Sequence, residues 1–261
     1  MAEEEPVFET TTGPPRIITA ASLFDGHDAA INVMRRLIQS AGAEVIHLGH
    51  DQSAKAVVDC AIQEDAHGVA LTSYQGGHVE YFTYIRQLLD EAGCKHIRIF
   101  GGGGGTITPP EIKTLHESGI SKIYSPDDGR TMGLMGMIHH LMGIASEVDL
   151  IHPDRIASLS GPVTPEDTAK VGLLLTMSES ADDKTFKSTL EKCRSSEKEV
   201  PVIGFTGTGG AGKSSLLDEL MLRILRDNPG KKVCLLCVDP TRKRTGGALL
   251  GDRIRMNSLS N

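Results

Sequence analysis

Short apolar runs alternate with longer amphipathic stretches along most of the chain. Five runs in the first 145 residues have the length and β-branched content of buried strands: RIITA at 16–20, EVIHL at 44–48, VALTS at 69–73, IRIF at 97–100 and KIY at 122–124. Between them apolar residues recur at helical spacing, first in Ile31, Met34, Leu37 and Ile38, then in Ala54, Val57, Val58, Ala61 and Ile62, then in Phe82, Ile85, Leu88 and Leu89. A last helix is expected at about 132–142, MGLMGMIHHLM, where the methionines read as packing groups. This alternation predicts an α/β domain over 16–145, a flavodoxin-like (Rossmann-type) parallel sheet of strand order 2-1-3-4-5.

Behind that domain the pattern changes. Residues 146–200 lose the glycine-rich punctuation and gain charge, densest in SESADDKTFKSTLEKCRSSEKEV at 178–200, and are expected to be a charged, partly helical linker. A helix start is predicted at PVTPED, 162–167, with Thr164 as cap. From 201 to 261 come a strand at 202–206, a helix with an apolar stripe of Leu216, Leu217, Leu220, Met221, Ile224 and Leu225, and a second strand at 233–238.

Length and charge narrow the function. At 261 residues the chain has room for roughly two domains. A net charge of −7 argues against a nucleic-acid surface, which needs clustered Lys and Arg. Residues 1–15, MAEEEPVFETTTGPP, have neither the basic region nor the apolar core of a signal peptide and read as a disordered acidic tail. No apolar run reaches bilayer length, so no membrane partner and a cytoplasmic location are expected. The five cysteines are odd in number and scattered. Cys234 and Cys237 fall in an apolar run, where they are expected to be core thiols rather than a metal or redox pair.

Two sets of residues carry chemistry. GTGGAGKS at 207–214 fits the phosphate-binding pattern GxxxxGK[ST] between a predicted strand and a predicted helix, the start of a P-loop domain. Backbone N–H groups of Gly207, Gly209, Gly210, Ala211 and Gly212, continued into Ser215, would cradle phosphate. Lys213 would reach the β and γ phosphates and stabilise their charge, and the Ser214 hydroxyl would join a Mg²⁺ shell. The second set gathers at the carboxyl ends of the first, third and fourth strands, the crevice where such a sheet binds ligands. FDGHDAA stands at 24–30, SYQGGH at 73–78 and GGGGGTITPP at 101–110. Gly101, Gly102, Gly103, Gly104 and Gly105 strip a loop of side chains, as a backbone lying against a bulky ligand requires, and Ser73, Gly76 and Gly77 suit a strand end meeting one. In Asp25-Gly26-His27 the carboxylate is placed to accept Nδ1–H, leaving Nε2 as a metal ligand.

These residues resemble a known family. Residues 16–142 are similar to the cobalamin-binding domain of adenosylcobalamin-dependent mutases and related enzymes, whose signature is DxHxxG, then SxL after the third strand and GG after the fourth. Asp25 and His27 match the first motif, with Ala30 where the family has glycine. Ser73 matches the serine of the second, with Gln75 in place of leucine, and the glycine run covers the third. The resemblance implies adenosylcobalamin as cofactor and His27 as the lower axial ligand of cobalt in place of the dimethylbenzimidazole base. It places the released nucleotide tail in a slot beside Ser73 and the glycine run. Many of these mutases carry a lysine four residues before the aspartate, where this chain has Ala21.

The segment VDPTRKRTGGALLGDRIRM at 238–256 resembles the metallochaperone GTPases that accompany cobalamin mutases, though residues 242–244 are more basic. That resemblance implies GTP and GDP as ligands, a Mg²⁺ role for Asp239 and a switch in the loop that follows. Residues 201–261 hold too few strands for a complete G domain and are expected to be part of a longer polypeptide. A cobalamin domain with a G domain directly behind it is the order of fused acyl-CoA mutases, in which a (β/α)₈ barrel that binds acyl-CoA follows. The resemblance implies a radical carbon-skeleton rearrangement between isobutyryl-CoA and n-butyryl-CoA, GTP hydrolysis that gates cofactor loading or protection, and a homodimeric full-length enzyme. The alternative is a non-catalytic cobalamin carrier or sensor joined to a nucleotide-binding domain.

Overall fold

The computed structural model describes residues 6–194 and 200–237. It divides into two compact units, residues 1–196 and 197–261. In the first, five parallel strands, β1 (Arg16–Ser22), β2 (Glu44–Gln52), β3 (Gly68–Thr72), β4 (Arg98–Gly102) and β5 (Lys122–Tyr124), pair in the order β2-β1-β3-β4-β5. The helices α1 (Asp28–Ser40) and α5 (Pro126–Ser146) pack against one face, and α2 (Ala54–Gln63), α3 (His78–Glu91) and α4 (Pro109–Glu117) against the other.

Burial follows the strand alternation. Ile18, Val69, Leu71 and Ile99 pack with Val57, Phe82 and Ile85 of α2 and α3, while Ile17, Ala70 and Phe100 pack with Ile38, Ile138 and Met142 of α1 and α5. Each fully buried Ile or Phe contributes about 1.5–3 kcal/mol, so both faces of the sheet are held by apolar contact. The helix α4 begins at the last two residues of the glycine-rich stretch 101–110 and runs on to Glu117. Thr108 and Glu111 close a capping box at its start, beside Pro109. The predicted last helix extends to both sides of 132–142, and Gly133, at φ 68 and ψ 174, breaks it into two segments.

The expected tail and linker are both more ordered than their composition suggests. Residues 6–15 lie along the amino end of the sheet: the Pro15 carbonyl accepts from Glu44 N, Thr11 Oγ1 donates to Asp149, and Phe8 packs against the α1–α5 core. Residues 146–194 form α6 (Pro153–Ser158), α7 (Thr168–Ser180) and α8 (Asp183–Cys193), with a small core of Leu159, Leu173, Met177 and Cys193. The helix predicted at PVTPED begins at Thr168, because Thr164 spends its N–H and hydroxyl on the Asp167 carboxylate in the preceding turn. These helices are fastened to the sheet through buried Asp65, which accepts from Arg155 at 2.7 Å and from Thr176 at 2.8 Å, and through Arg16, which donates to Thr176 and to the Glu64 carbonyl. Burial opposes ionisation of Asp65, but the nearby His96 ring, the Arg155 guanidinium and the Thr176 hydroxyl hold its pKa at about 2.

In the second unit α9 (Lys213–Asp227) is the regular element among the described residues. Of the two apolar runs expected as strands, 202–206 and the described part of the second, 233–237, pair with nothing among the described residues. A strand is stable only within a sheet, and Val202, Ile203 and Leu236 are exposed accordingly. Cys234 and Cys237 are exposed too, which corrects their expected place in a core. Asp239 and the segment 238–256 lie outside the described residues. Among those described, no helix is long and apolar enough to cross a membrane.

Candidate functional site

The carboxyl ends of β1, β3 and β4 bring the three predicted loops together. Asp25 is 1% exposed and its two oxygens have separate tasks. Oδ1 accepts the His27 backbone N–H at 2.9 Å and meets His27 Nδ1 at 2.8 Å, while Oδ2 accepts the Tyr74 N–H at 2.6 Å. Burial pushes the Asp25 pKa up, but the Tyr74 and His27 N–H donors and the imidazole outweigh it, and the carboxyl lies below its ordinary value. An ionised carboxylate only accepts, so Nδ1 carries the proton and Nε2 keeps its lone pair. The His27 side chain is 74% exposed, with the Tyr74 ring centroid 5.5 Å away. A fully buried anion thus orients an exposed imidazole whose free nitrogen is a metal donor.

The SYQGGH loop is tied to the first by several bonds. Ser73 is buried, its Oγ accepts from Ser22 Oγ at 2.8 Å, and its N–H donates to the Gly102 carbonyl. Gln75 donates from Nε2 to the Leu23 carbonyl and accepts from Gly77 N–H, while Gly76 has open space around it. The five glycines of the third loop sit in different surroundings. A Cβ on Gly101 would lie 2.5 Å from the Phe82 ring, and one on Gly103 only 1.9 Å from the Ser73 carbonyl oxygen. Gly101 is demanded by the Phe82 ring that α3 lays against it, and Gly103 by the close approach of the chain after β3. Gly104 has φ 57 and faces the Tyr74 ring, Gly102 has ordinary contact room, and a Cβ on Gly105 would meet nothing within 4 Å.

A further candidate residue lies at a position without any local motif. An apolar cavity of about 50 Å³ opens between α1, α5 and the ends of β3 and β4, walled by Ile31, Met34, Phe100, Leu141, Gly101 and Gly102. Thr72 and Tyr124 bring side-chain hydroxyls to this wall. Tyr124 Oη meets His140 Nδ1 at 3.0 Å, whereas Thr72 Oγ1 is buried without a hydrogen-bond partner. An unpaired hydroxyl in an apolar setting costs about 1–3 kcal/mol, so its presence points to a ligand with an acceptor. The signal was available: Thr72 follows Ala70 by two residues in β3 and shares its face. A free imidazole nitrogen, a cradle too tight for side chains and an apolar cavity with one unsatisfied donor fit a corrinoid held through its metal and its nucleotide tail.

At the second loop Gly212 is left-handed, φ 83, and caps α9, which opens on Lys213. Gly210 is left-handed as well, φ 75. Lys213 Nζ donates to the Thr208 carbonyl at 2.8 Å, so the amine lies over the concave side of the loop. Ser214 and Ser215 follow in the first turn of α9, whose leading N–H groups have no acceptor within the helix.

Fold and site together define an α/β protein with a carboxylate-oriented, exposed histidine at its strand ends and, later in the chain, a phosphate-loop sequence. Residues 15–123 match the family described as B12 binding domain, and residues 171–261 the family described as Methylmalonyl Co-A mutase-associated GTPase MeaB. A 2-hydroxyisobutanoyl-CoA mutase small subunit from Aquincola tertiaricarbonis is 34% identical over 115 residues, 44% of this chain and 82% of that protein. The chain belongs to the B12-binding family of mutase components, joined to the start of a MeaB-type GTPase domain. Fused isobutyryl-CoA mutases from Geobacillus kaustophilus and Nocardia farcinica are 51% identical over 252 residues and 52% identical over 249, in each case 94% of this chain and 23% of the relative. The chain spans about a quarter of the length of these relatives.

Proposed function

We propose that the chain holds adenosylcobalamin in its first domain and Mg²⁺-GTP in its second, as the cofactor and chaperone portion of a fused mutase that interconverts isobutyryl-CoA and n-butyryl-CoA. The observation that carries the cofactor reading is the buried Asp25 carboxylate aimed at Nδ1 of an exposed His27. His27 Nε2 is the cobalt ligand, and Asp25 fixes the tautomer and raises the basicity of the ring. Gly103 lets the chain after β3 close up on the end of β4 beside the nucleotide tail, and Thr72 offers its hydroxyl to the base at the end of that tail. Because a cavity of roughly 150 Å³ is what holds a single benzene, filling the 50 Å³ cavity with a base spreads α1 from α5. The bound cofactor supplies the radical chemistry, while the protein supplies ligation and placement. In the second domain Lys213, Ser214 and the loop N–H groups hold the nucleotide, with Asp239 as a further Mg²⁺ contact, and GTP hydrolysis gates cofactor loading or protection. Acyl-CoA binding is assigned to a barrel domain of the fused mutase outside residues 1–261.

The test is the visible spectrum of the chain mixed with adenosylcobalamin. Wild type is expected to show imidazole-ligated, base-off cofactor, and His27→Ala to lose that signature. A wild-type spectrum with the nucleotide base still on cobalt would refute the proposal.

A further inference from the structure

The loop that carries His27 begins with a backbone conformation its own sequence disfavours. Phe24 has φ 62, the left-handed region that a bulky residue enters at a cost of about 1–2 kcal/mol. Its ring is 82% exposed, so burial does not offset that strain. The compensation comes from the edge strand. Asp51 Oδ1 accepts the Phe24 N–H at 2.7 Å, a short bond to a charged acceptor. Asp51 is itself left-handed, φ 56, a conformation that aspartate tolerates better than most residues. Its neighbour Gln52 is anchored on both sides, paired with Ser22 across the strands and accepting from the buried Tyr81 hydroxyl at 2.9 Å. On the far side of the loop Gln75 Nε2 holds the Leu23 carbonyl at 3.0 Å. The peptide between Leu23 and Phe24 is thus clamped from β2 and from the β3 loop, one residue before Asp25.

We infer that Asp51 is a positioning residue for the cobalt ligand: it holds Phe24 left-handed, and so sets where Asp25 and His27 stand before the cofactor arrives. The inference rests on the reading of His27 as the axial ligand. Asp51 touches neither metal nor corrin and acts through the loop backbone. Losing its acceptor leaves Phe24 to relax toward negative φ, which swings the Asp25-Gly26-His27 segment away from Tyr74 N–H.

The experiment measures cobalamin affinity and the imidazole-ligated fraction of the spectrum for four variants of the chain. Asp51→Ala is expected to weaken binding roughly five- to twentyfold, the factor one charged hydrogen bond and its released strain supply, with a lower imidazole-ligated fraction at saturation. Asp51→Asn keeps a side-chain oxygen acceptor and is expected within about threefold of wild type. Phe24→Gly is expected to bind like wild type, and the double variant Phe24→Gly with Asp51→Ala to recover to within about twofold, because glycine takes positive φ freely. A general loss of folding would not be repaired by a glycine. Wild-type affinity and spectrum in Asp51→Ala, or failure of the double variant to recover, overturns the positioning role while leaving His27 as ligand. A base-on spectrum in wild type itself overturns the axial-ligand reading instead.

Discussion

Replacing His67 by glutamine should flatten the acid side of the stability profile. His67 precedes β3 at the amino end of the sheet and is 0% exposed. Its Nδ1 accepts the Arg16 backbone N–H at 2.9 Å, so the ring proton is on Nε2, which meets the Thr10 and Thr12 hydroxyls at 3.2 and 3.3 Å. Protonating Nδ1 would break the first of these bonds. Burial, and then the Arg16 charge, push the pKa from 6.5 to about 4, with His96 and Arg155 adding to the effect and Asp65 opposing it. Between these values the unfolded chain binds a proton that the folded chain refuses, so stability is full above about 6.5 and falls as pH falls toward 4. At about pH 5 the unfolded ring lies about 1.5 units into protonation while the folded ring is still neutral, which at 1.36 kcal/mol per unit removes about 2 kcal/mol. Asp65, with its pKa at about 2, stays ionised throughout this window. The partly buried His96, also pushed down by burial, is present in both proteins. Glutamine keeps an acceptor for Arg16 N–H and has nothing to titrate. Urea unfolding at about pH 7.5 and at about pH 5 is the assay, and wild type should lose about 2 kcal/mol more than His67→Gln. Equal losses would refute the reasoning. Cobalamin binding should not change, since His67 lies at the opposite end of β3 from the site.

Three further outcomes follow from the two ligand loops. Thr72→Val should raise the stability of the cofactor-free chain by about 1 kcal/mol, by removing a buried unpaired hydroxyl, yet weaken cobalamin binding roughly fivefold. Cobinamide, which lacks the nucleotide tail, should bind both forms alike, and a parallel loss for it would exclude the tail contact. Gly101→Ala and Gly103→Ala should each destabilise by roughly 1–3 kcal/mol or more through overpacking, whereas Gly105→Ala should stay within about 0.5 kcal/mol in denaturant titrations, so three identical letters give two opposite results. Lys213→Ala in a protein carrying the whole GTPase domain should weaken GTP binding roughly 10- to 100-fold, the worth of a charge-assisted contact to phosphate, as read by fluorescent nucleotide titration.

How far the sequence discloses this architecture depends on the range of each interaction. Buried parallel strands are written as continuous apolar runs, so all five strands and their order could be read directly, and the Asp25–His27 pair was visible because its members are two residues apart. Support arriving from other strands left no local mark. Thr72 matters because α1 and α5 wall in its hydroxyl, and Asp51 because strand order places β2 beside the loop that follows β1. Asp65 and Arg155 are 90 residues apart in the chain, and their contact turns an expected connector into helices docked on the sheet. In the second unit, strand-like composition at 202–206 and 233–237 meets no ladder among the described residues. Composition states what a segment can do if partners exist, while only the fold states whether they do. The same asymmetry bears on the site: the DGH motif names the proposed ligand, but its geometry depends on Asp51, Gln75 and Tyr74, which approach from β2 and from the loop after β3. A substitution at any of these distant supports is therefore expected to act on metal ligation as surely, though not as strongly, as one at His27.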